Sequence, residues 1–313
     1  MTSNLALRPK PTTIVDAPRL SKRLGVDVFL ATETFQETGS FKFRAAANLA
    51  AKVPNPILLA ASSGNFGQAL ARAAALAGKR AIIVMPSRSA KVKIDAVREF
   101  GGEVVFVDTA KETRAAKVAE VAALHPDAYL GSAYDDEHVI EGNASLGREL
   151  AALAANGRPF DAVVVPVGGG GLSSGMVRGL RDGGSSAEVW GAEPLLSNDA
   201  ARSLREGRMI RQDREGDTIA DGARTLSLGD RNWAILKDGL AGIVEVDEPE
   251  IRAAVRLHSE LANLKSEPTG ALSLGAILTA PEKFRGKRVC LVVSGGNVDP
   301  AVYREILAGD TAQ

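Results

Sequence analysis

The chain has 313 residues, enough to bury a large core and to form two domains or one large one. Its 38 Lys plus Arg balance 38 Asp plus Glu, so no bulk basic field attracts nucleic acid or an anionic membrane surface, and small molecules or other proteins remain as partners. No apolar run approaches the roughly 18 to 20 residues of a membrane span, and residues 1–20 lack the apolar segment of a signal peptide, which together predict a cytoplasmic protein.

From the N-terminus, a Pro-rich arm, "RPKPTT" (8–13), precedes a predicted helix in "APRLSKRLG". The stretch "ETGSFKFRAA" (37–46) sets Lys42 between Phe41 and Phe43, just after a Gly-Ser pair, at the predicted start of another helix. Beyond it, "PILLAA", "RAIIVMP", "GEVVFVD", "DAVVVPV", "EVWGAE" and "RVCLVV" read as strands, near Ala-rich helical stretches such as "GQALARAAALAG" and "RAAKVAEVAALH". This alternation predicts an α/β fold with a largely parallel sheet, and unbroken apolar runs fit strands buried on both faces. The polar stretch "REGRMIRQDREGD" (205–217) reads as a solvated surface excursion. Cys290, the single cysteine, lies within "RVCLVV" without a partner for an internal disulfide and is expected as a buried strand residue. His125, His138 and His258 show no metal-ligand spacing.

Three strands run directly into small-residue turns: "LLAASSGNFGQALA" (58–71), "VVVPVGGGGLSSG" (163–175) and "LVVSGGN" (291–297). Ligands of open α/β sheets bind beyond the carboxyl ends of strands, so these turns are candidates to converge on one ligand. "GGGGL", Gly168 to Leu172, exposes consecutive backbone amides at a predicted helix N-terminus, where unpaired N–H groups and the helix dipole suit a phosphate. A plain turn and a dinucleotide site are the alternatives; Glu193, ending the next strand, stands where a ribose-binding acid would. The spacing lacks the third glycine of a dinucleotide fingerprint, however, and no Lys-Ser/Thr follows as a P-loop requires.

A lysine at a helix start is ordinarily a snorkelling surface residue. At Lys42 the dipole opposes a cation in the first turn, and flanking aromatics would help desolvate the amine, favouring the neutral nucleophile that forms a Schiff base. With a separate phosphate cradle and no nucleotide motif, this combination points to a phosphorylated aldehyde, pyridoxal 5′-phosphate.

"ETGSFKFRAA", "SSGNFGQALA", "GGGGL", "SEPTG" (266–270) and "SGGN" (294–297), in this order, resemble the fold type II pyridoxal-phosphate enzymes. Within them the likeness is to the serine/threonine dehydratase and serine racemase family, over residues 11–305. The resemblance implies a tryptophan synthase beta-like α/β fold with two open, twisted, mostly parallel sheets flanked by helices. It implies a large cofactor domain (1–48 and 145–313), a small mobile domain (49–144), cofactor in the cleft between them, and a homodimer. Lys42 would carry the cofactor as a Schiff base and serve as the base at the substrate Cα. Asn65 would bond the cofactor's phenolic oxygen, Gly168, Gly169, Gly170, Gly171 and Leu172 its phosphate, and Ser294 its pyridine nitrogen, with Glu267 beside the ring. Ser62, Ser63 and Gly64 would bind the substrate carboxylate. A neutral hydroxyl at Ser294 leaves the ring nitrogen largely unprotonated, which favours rapid loss of a β-hydroxyl over accumulation of a carbanion.

The implied reaction converts a 2-amino-3-hydroxy acid, such as serine, threonine or a bulkier 3-substituted serine, to a 2-oxo acid and ammonia. An amino-acid racemase is the alternative, because Ser63 occupies the position at which serine racemases carry an acid/base hydroxyl on the face opposite the lysine. A cofactor-free amino-acid-binding regulatory relative is a third reading, opposed by the intact Lys42. Departures from the family pattern are Phe66 where a histidine is usual, "GNAS" (142–145) for a Gly-Gln-Gly-Thr stretch, and no lysine in "FLATETFQ". Phe66 and Tyr134 are candidates to line a pocket for a larger β-substituent, or are packing residues. "EPLLSND" resembles the family's divalent-cation loop, so Glu193, the Ser197 carbonyl and Asp199 would hold Mg²⁺, Ca²⁺ or Mn²⁺, with a solvated acidic loop as the alternative.

Overall fold

The computed structural model describes residues 7–309 apart from 63, 90 and 158. Its strands are β1 (Thr13–Asp16), β2 (Asp27–Thr32), β3 (Ile57–Ala61), β4 (Arg80–Pro86), β5 (Glu103–Val107), β6 (Ala128–Leu130), β7 (Ala162–Pro166), β8 (Glu188–Pro194), β9 (Gly242–Val246) and β10 (Arg288–Val293). The helices that matter below are α1 (Pro18–Leu24), α2 (Lys42–Lys52), α3 (Asn65–Leu76), α4 (Lys91–Glu99), α5 (Arg114–Leu124), α6 (Glu137–Ala155), α7 (Gly171–Asp182), α8 (Asp199–Glu206), α9 (Asp230–Leu236), α10 (Glu248–Ala262), α11 (Pro268–Thr279) and α12 (Pro300–Ala308). Local sequence explains several of their ends. Asp247 caps α10 by accepting the Glu250 N–H, with Pro249 in the first turn and Asn263 in the left-handed conformation at the far end. Asp299 and Pro300 open α12 in the same way.

The chain divides into two compact units. The larger comprises 11–35, 39–41 and 143–309 among the described residues, and is built on a six-stranded sheet of order β1-β2-β10-β7-β8-β9. Every pairing in it is parallel except β1 with β2. The smaller comprises 7–10, 36–38 and 42–142 and is built on an all-parallel sheet of order β5-β4-β3-β6. The main segment of the smaller unit begins at Lys42, where the small domain was expected to begin at 49. The physical reason is that α2 is one amphipathic helix whose Ala45, Ala46 and Leu49 share a core with Phe66 and Leu70 of α3, so a boundary at 49 would cut through it.

The central strands of both sheets are buried on both faces, and the period of two in them sorts residues into separate cores. In the larger unit Ala162, Val164, Val289 and Leu291 face one cluster with α10 and α11, while Val163, Val165, Cys290 and Val292 face another with α6 and α7. In the smaller unit Leu58, Ala60 and Ile83 pack against α2 and α3, and Leu59, Ile82 and Val84 against α5. Cys290 is fully buried as expected, and burial pushes its thiol up to about 12. The 205–217 stretch is less free than its polarity predicts: Ile210 is buried, and Gln212 donates to Asp199 Oδ1 at 2.9 Å. Among the described residues no helix is long and apolar enough to cross a membrane.

Within the larger unit α6 and α7 approach unusually closely. Gly171, Gly175, Gly179 and Gly183 recur every fourth residue, so they form one ridge along α7. A Cβ on Gly175 would fall 2.5 Å from Asn143 Cβ, and one on Gly179 2.1 Å from the Ala144 carbonyl oxygen. This contact fixes α7, and with it the glycine-rich turn that opens the helix.

Candidate functional site

In the smaller unit β3 and β6 are adjacent parallel strands, so the turns that follow them lie at the same sheet edge. Lys42, the first residue of α2, donates its Nζ to the Ala133 carbonyl at 2.6 Å, just beyond β6. Its ammonium also lies 5.6 Å from the centroid of the Phe66 ring, within cation–π range. The aromatic face against the amine is thus that of Phe66, in the "SSGNF" turn. Phe43 is instead buried among α2 and α3 core residues, and Phe41 packs against a core of the larger unit. Phe66 is 2% exposed, so it serves in the core while presenting its ring to the amine.

The turn after β3 is closed by Ser62, whose buried hydroxyl oxygen accepts the N–H groups of Gly67 at 3.0 Å and Gly64 at 3.3 Å. Gly64 caps α3 and Asn65 is its first residue, with Asn65 Oδ1 accepting from Gln68 Nε2 at 3.2 Å. Ser63 lies outside the described residues. Tyr134 is half-buried, and its N–H donates to Ser132 Oγ at 3.4 Å.

In the larger unit the glycine-rich turn follows β7 and "SGGN" follows β10, neighbouring parallel strands, so both stand at the carboxyl edge of one sheet. Gly170 has φ +91°, and a Cβ there would meet Asn232 Cβ at 2.8 Å and Leu228 at 2.9 Å, so only glycine fits. The carbonyls of Gly169, Gly170 and Gly171 are all engaged from behind. Gly169 accepts from Gly229 N–H at 3.1 Å and Asn232 Nδ2 at 2.7 Å, Gly170 from Ser174 N–H at 2.8 Å and Ser173 Oγ at 3.1 Å, and Gly171 from Asn143 Nδ2 at 3.0 Å. The N–H groups of Gly168 to Leu172 have no acceptor among the described residues. Consecutive unpaired amides at the N-terminus of a twelve-residue helix form an anion cradle.

Beside it, Ser294 is buried at the end of β10, its carbonyl accepting the Phe41 N–H at 2.9 Å, while its hydroxyl pairs with no described residue. Lys42 is the next residue in the chain after Phe41. Glu267, the N-cap residue of α11, donates its N–H to the Gly295 carbonyl at 3.1 Å. The Glu267 carboxyl and the Ser40 Cβ both lie against Gly295, so a Cβ there would displace the carboxyl.

The acidic loop after β8 is buried rather than solvated. Glu193 Oε1 and Oε2 accept the Ala200 and Ala201 N–H groups at 2.9 and 2.7 Å, holding the start of α8. Burial, with Asp199 nearby, pushes the Glu193 carboxyl well above the usual carboxylate range, and burial raises Asp199 to about 6. Asp199 Oδ2 has no partner among the described residues, and the Ser197 hydroxyl donates to the Ala223 carbonyl at 3.3 Å. Among the described residues no group of three or more His, Cys, Asp or Glu side chains is arranged to hold a metal ion.

Asn143, Asn232 and the Ala133 carbonyl escaped the sequence reading. They act across separations of 28, 63 and 91 residues, which no local motif reveals. The one available signal was the substitution pattern itself, an asparagine in "GNAS" where the family pattern differs.

The same arrangement of strands and turns occurs in proteins of known activity. The chain is 35% identical over 302 residues to the L-threo-3-hydroxyaspartate ammonia-lyase of Pseudomonas sp, covering 95% of this chain and 93% of that protein. It is 34% identical over 301 residues to the serine racemase of Schizosaccharomyces pombe, covering 95% and 92%. A solved threonine deaminase, from T.th., superposes with a TM-score of 0.88 at 36% identity, over 96% of this chain and 98% of that one. A family model described as "Pyridoxal-phosphate dependent enzyme" matches residues 5–295. A lysine at a helix start and a cradle of unpaired amides are thus features of a chain that belongs to the pyridoxal-phosphate dependent enzyme family, with the fold type II architecture.

Proposed function

We propose that the protein is an ammonia-lyase that dehydrates a 2-amino-3-hydroxy acid to a 2-oxo acid and ammonia. The observation that carries this reading is Lys42, an amine at a helix start held against a backbone carbonyl and an aromatic face, in a chain similar to ammonia-lyases along nearly its whole length.

The residues present fit pyridoxal phosphate. The unpaired amides of Gly168 to Leu172 suit a phosphate that no side-chain cation needs to hold, and the hydroxyl of the buried residue Ser294, unpaired among the described residues, suits a ring nitrogen. Lys42 would hold the carbonyl carbon and Asn65 the phenolic oxygen, with Glu267 beside the ring. When bound, this cofactor supplies a carbonyl carbon for the substrate amine and an electron-withdrawing ring that acidifies the substrate Cα–H.

The chain's own groups do the rest. Once the substrate amine has taken its place, the Lys42 amine accepts the Cα proton, the reaction for which one well-positioned amine is worth about 10² to 10⁴ in rate. The Cα–H bond pair forms the Cα–Cβ double bond as the Cβ–O bond breaks, and the hydroxyl leaves as water, its added proton balancing the one that Lys42 accepted. The released enamine tautomerises and takes up water, giving the 2-oxo acid and ammonia. Ser62, Ser63 and Gly64 of the "SSGN" turn would bind the substrate carboxylate, with Phe66 and Tyr134 bordering its β-substituent. The test is a panel of serine, threonine, 3-hydroxyaspartate and 3-phenylserine, assayed for ammonia and 2-oxo acid. Equal release of both from at least one of them is expected, and release from none would refute the lyase reading.

The similarity to a serine racemase supports a second reading, in which Lys42 and Ser63 exchange the Cα proton on opposite faces. Chiral analysis of unreacted substrate from the same panel decides it. Interconversion of enantiomers is expected only if Ser63 acts as an acid/base group.

We also propose that Glu193, the Ser197 carbonyl and Asp199 bind Mg²⁺, Ca²⁺ or Mn²⁺. Two buried carboxylates, one with an oxygen lacking a partner among the described residues, form an oxygen donor set that a hard cation would neutralise. Adding either Mg²⁺ or Ca²⁺ after chelation should raise Tm, and Asp199→Asn should abolish that rise. A Tm indifferent to both ions leaves Glu193 as only the cap of α8.

A further inference from the structure

We infer that Asn232 is a positioning residue for the phosphate cradle, one that aims the Gly170 N–H at the bound phosphate by gripping the carbonyl on the other side of the same peptide. The inference rests on the reading of Gly168 to Leu172 as the phosphate site.

A trans peptide is planar, and its C=O and N–H point in opposite directions. Holding the Gly169 carbonyl back therefore turns the Gly170 N–H outward. Between two glycines that peptide has no Cβ to bias its rotation, so little in the turn itself prevents it from flipping. A flip would bring a carbonyl dipole towards the phosphate and remove an amide, reversing the sign of the interaction.

Two donors oppose that flip, and both come from the start of α9: the Gly229 N–H at 3.1 Å and Asn232 Nδ2 at 2.7 Å. The side-chain bond is the shorter, and Asn232 is fully buried, so water does not compete for it. Its Cβ also lies where a Cβ on Gly170 would be, 2.8 Å away, so Asn232 sets the position of this peptide as well as its direction.

Asn143 provides the internal comparison. It too is fully buried and donates to a carbonyl of the turn, that of Gly171 at 3.0 Å. Gly171 is already the first residue of α7, so the helix itself fixes that peptide's direction. Loss of Asn143 removes a buried hydrogen bond without freeing a peptide to turn, whereas loss of Asn232 does both.

The test compares pyridoxal 5′-phosphate with pyridoxal, which differ only in the phosphate. The full chain, freed of cofactor, is titrated with each by absorbance for wild type, Asn232→Ala, Asn232→Asp and Asn143→Ala. Wild type is expected to prefer the phosphate ester strongly; equal affinity for the two would instead overturn the phosphate-site reading on which this inference rests. Given that preference, Asn232→Ala should narrow it by about tenfold to a hundredfold, the range for a hydrogen bond to a charged group, with pyridoxal affinity little changed. Asn143→Ala should leave the preference within about threefold of wild type. Asn232→Asp keeps the size of the side chain and removes the Nδ2 donor, so it serves if the alanine variant fails to fold, with the same narrowing expected. A preference retained in the Asn232 variants, or reduced equally in Asn143→Ala, would overturn the inference.

Discussion

Lys42→Ala is expected to lower turnover of every accepted substrate by at least about a thousandfold, because in the proposed function one amine would supply both the cofactor linkage and the proton acceptor. The fold should survive. Lys42 is partly exposed at the first position of α2, alanine favours a helix at least as well, and the contacts given up include the bond to the Ala133 carbonyl, about 1 kcal/mol on the usual scale, and the cation–π contact with Phe66. Lys42→Arg sharpens the result. It keeps a cation able to reach a carbonyl, yet a guanidinium stays protonated and serves neither as base nor as nucleophile. Both variants should be inactive with a thermal transition close to that of wild type. Near-wild-type turnover in either would mean that Lys42 is a structural lysine.

The second large effect is on stability. A Cβ on Gly179 would stand 2.1 Å from the Ala144 carbonyl oxygen and 2.8 Å from both the Arg148 nitrogen and the Gly147 Cα. All three are backbone atoms of α6, so no side chain can swing aside and the two helices must separate. Gly179→Ala should therefore cost about 3 kcal/mol or more, the upper part of the range for overpacking, and lower Tm by roughly 5 °C or more. Gly157→Ala is the control, since its nearest neighbour would be the Leu153 carbonyl at 3.7 Å, an ordinary contact. Separating α6 from α7 also disturbs the start of α7, so Gly179→Ala should retain cofactor less well than the control. Equal Tm for the two variants would show that the helices have room to spare.

These two cases mark what the sequence reveals and what it conceals. Lys42, the glycine-rich turn and Ser294 were legible because each sits in a short contiguous motif at the end of a strand or the start of a helix. The six strands read as apolar runs are all present; five of them, all but the edge strand β5, are largely buried and so carry an uninterrupted apolar signal. β1, β2, β6 and β9 were not among the six: β1 starts inside the Pro-rich arm, β6 is three residues long, β9 alternates as "GIVEV", and of the four only β2 lies away from a sheet edge. The glycine ridge of α7 was also readable, as four glycines at intervals of four, but Gly-rich sequence suggested a turn and drew attention away from helix packing. Side chains that act from a distance were invisible. Asn232 reaches Gly169 across 63 residues, and only the fold brings the two together. Phe66 read either as a pocket wall or as a packing residue, and its ring face against Lys42 was not legible because the two are 24 residues apart in the chain.

The central claim is that Lys42 carries the pyridoxal phosphate. Reducing the holoprotein with borohydride fixes the cofactor to whichever amine holds it, and peptide mapping by mass spectrometry then identifies that residue. A single phosphopyridoxyl group is expected, on the peptide containing Lys42, and none in Lys42→Ala treated in parallel. Label on another lysine, or the same labelling in the variant, would contradict it.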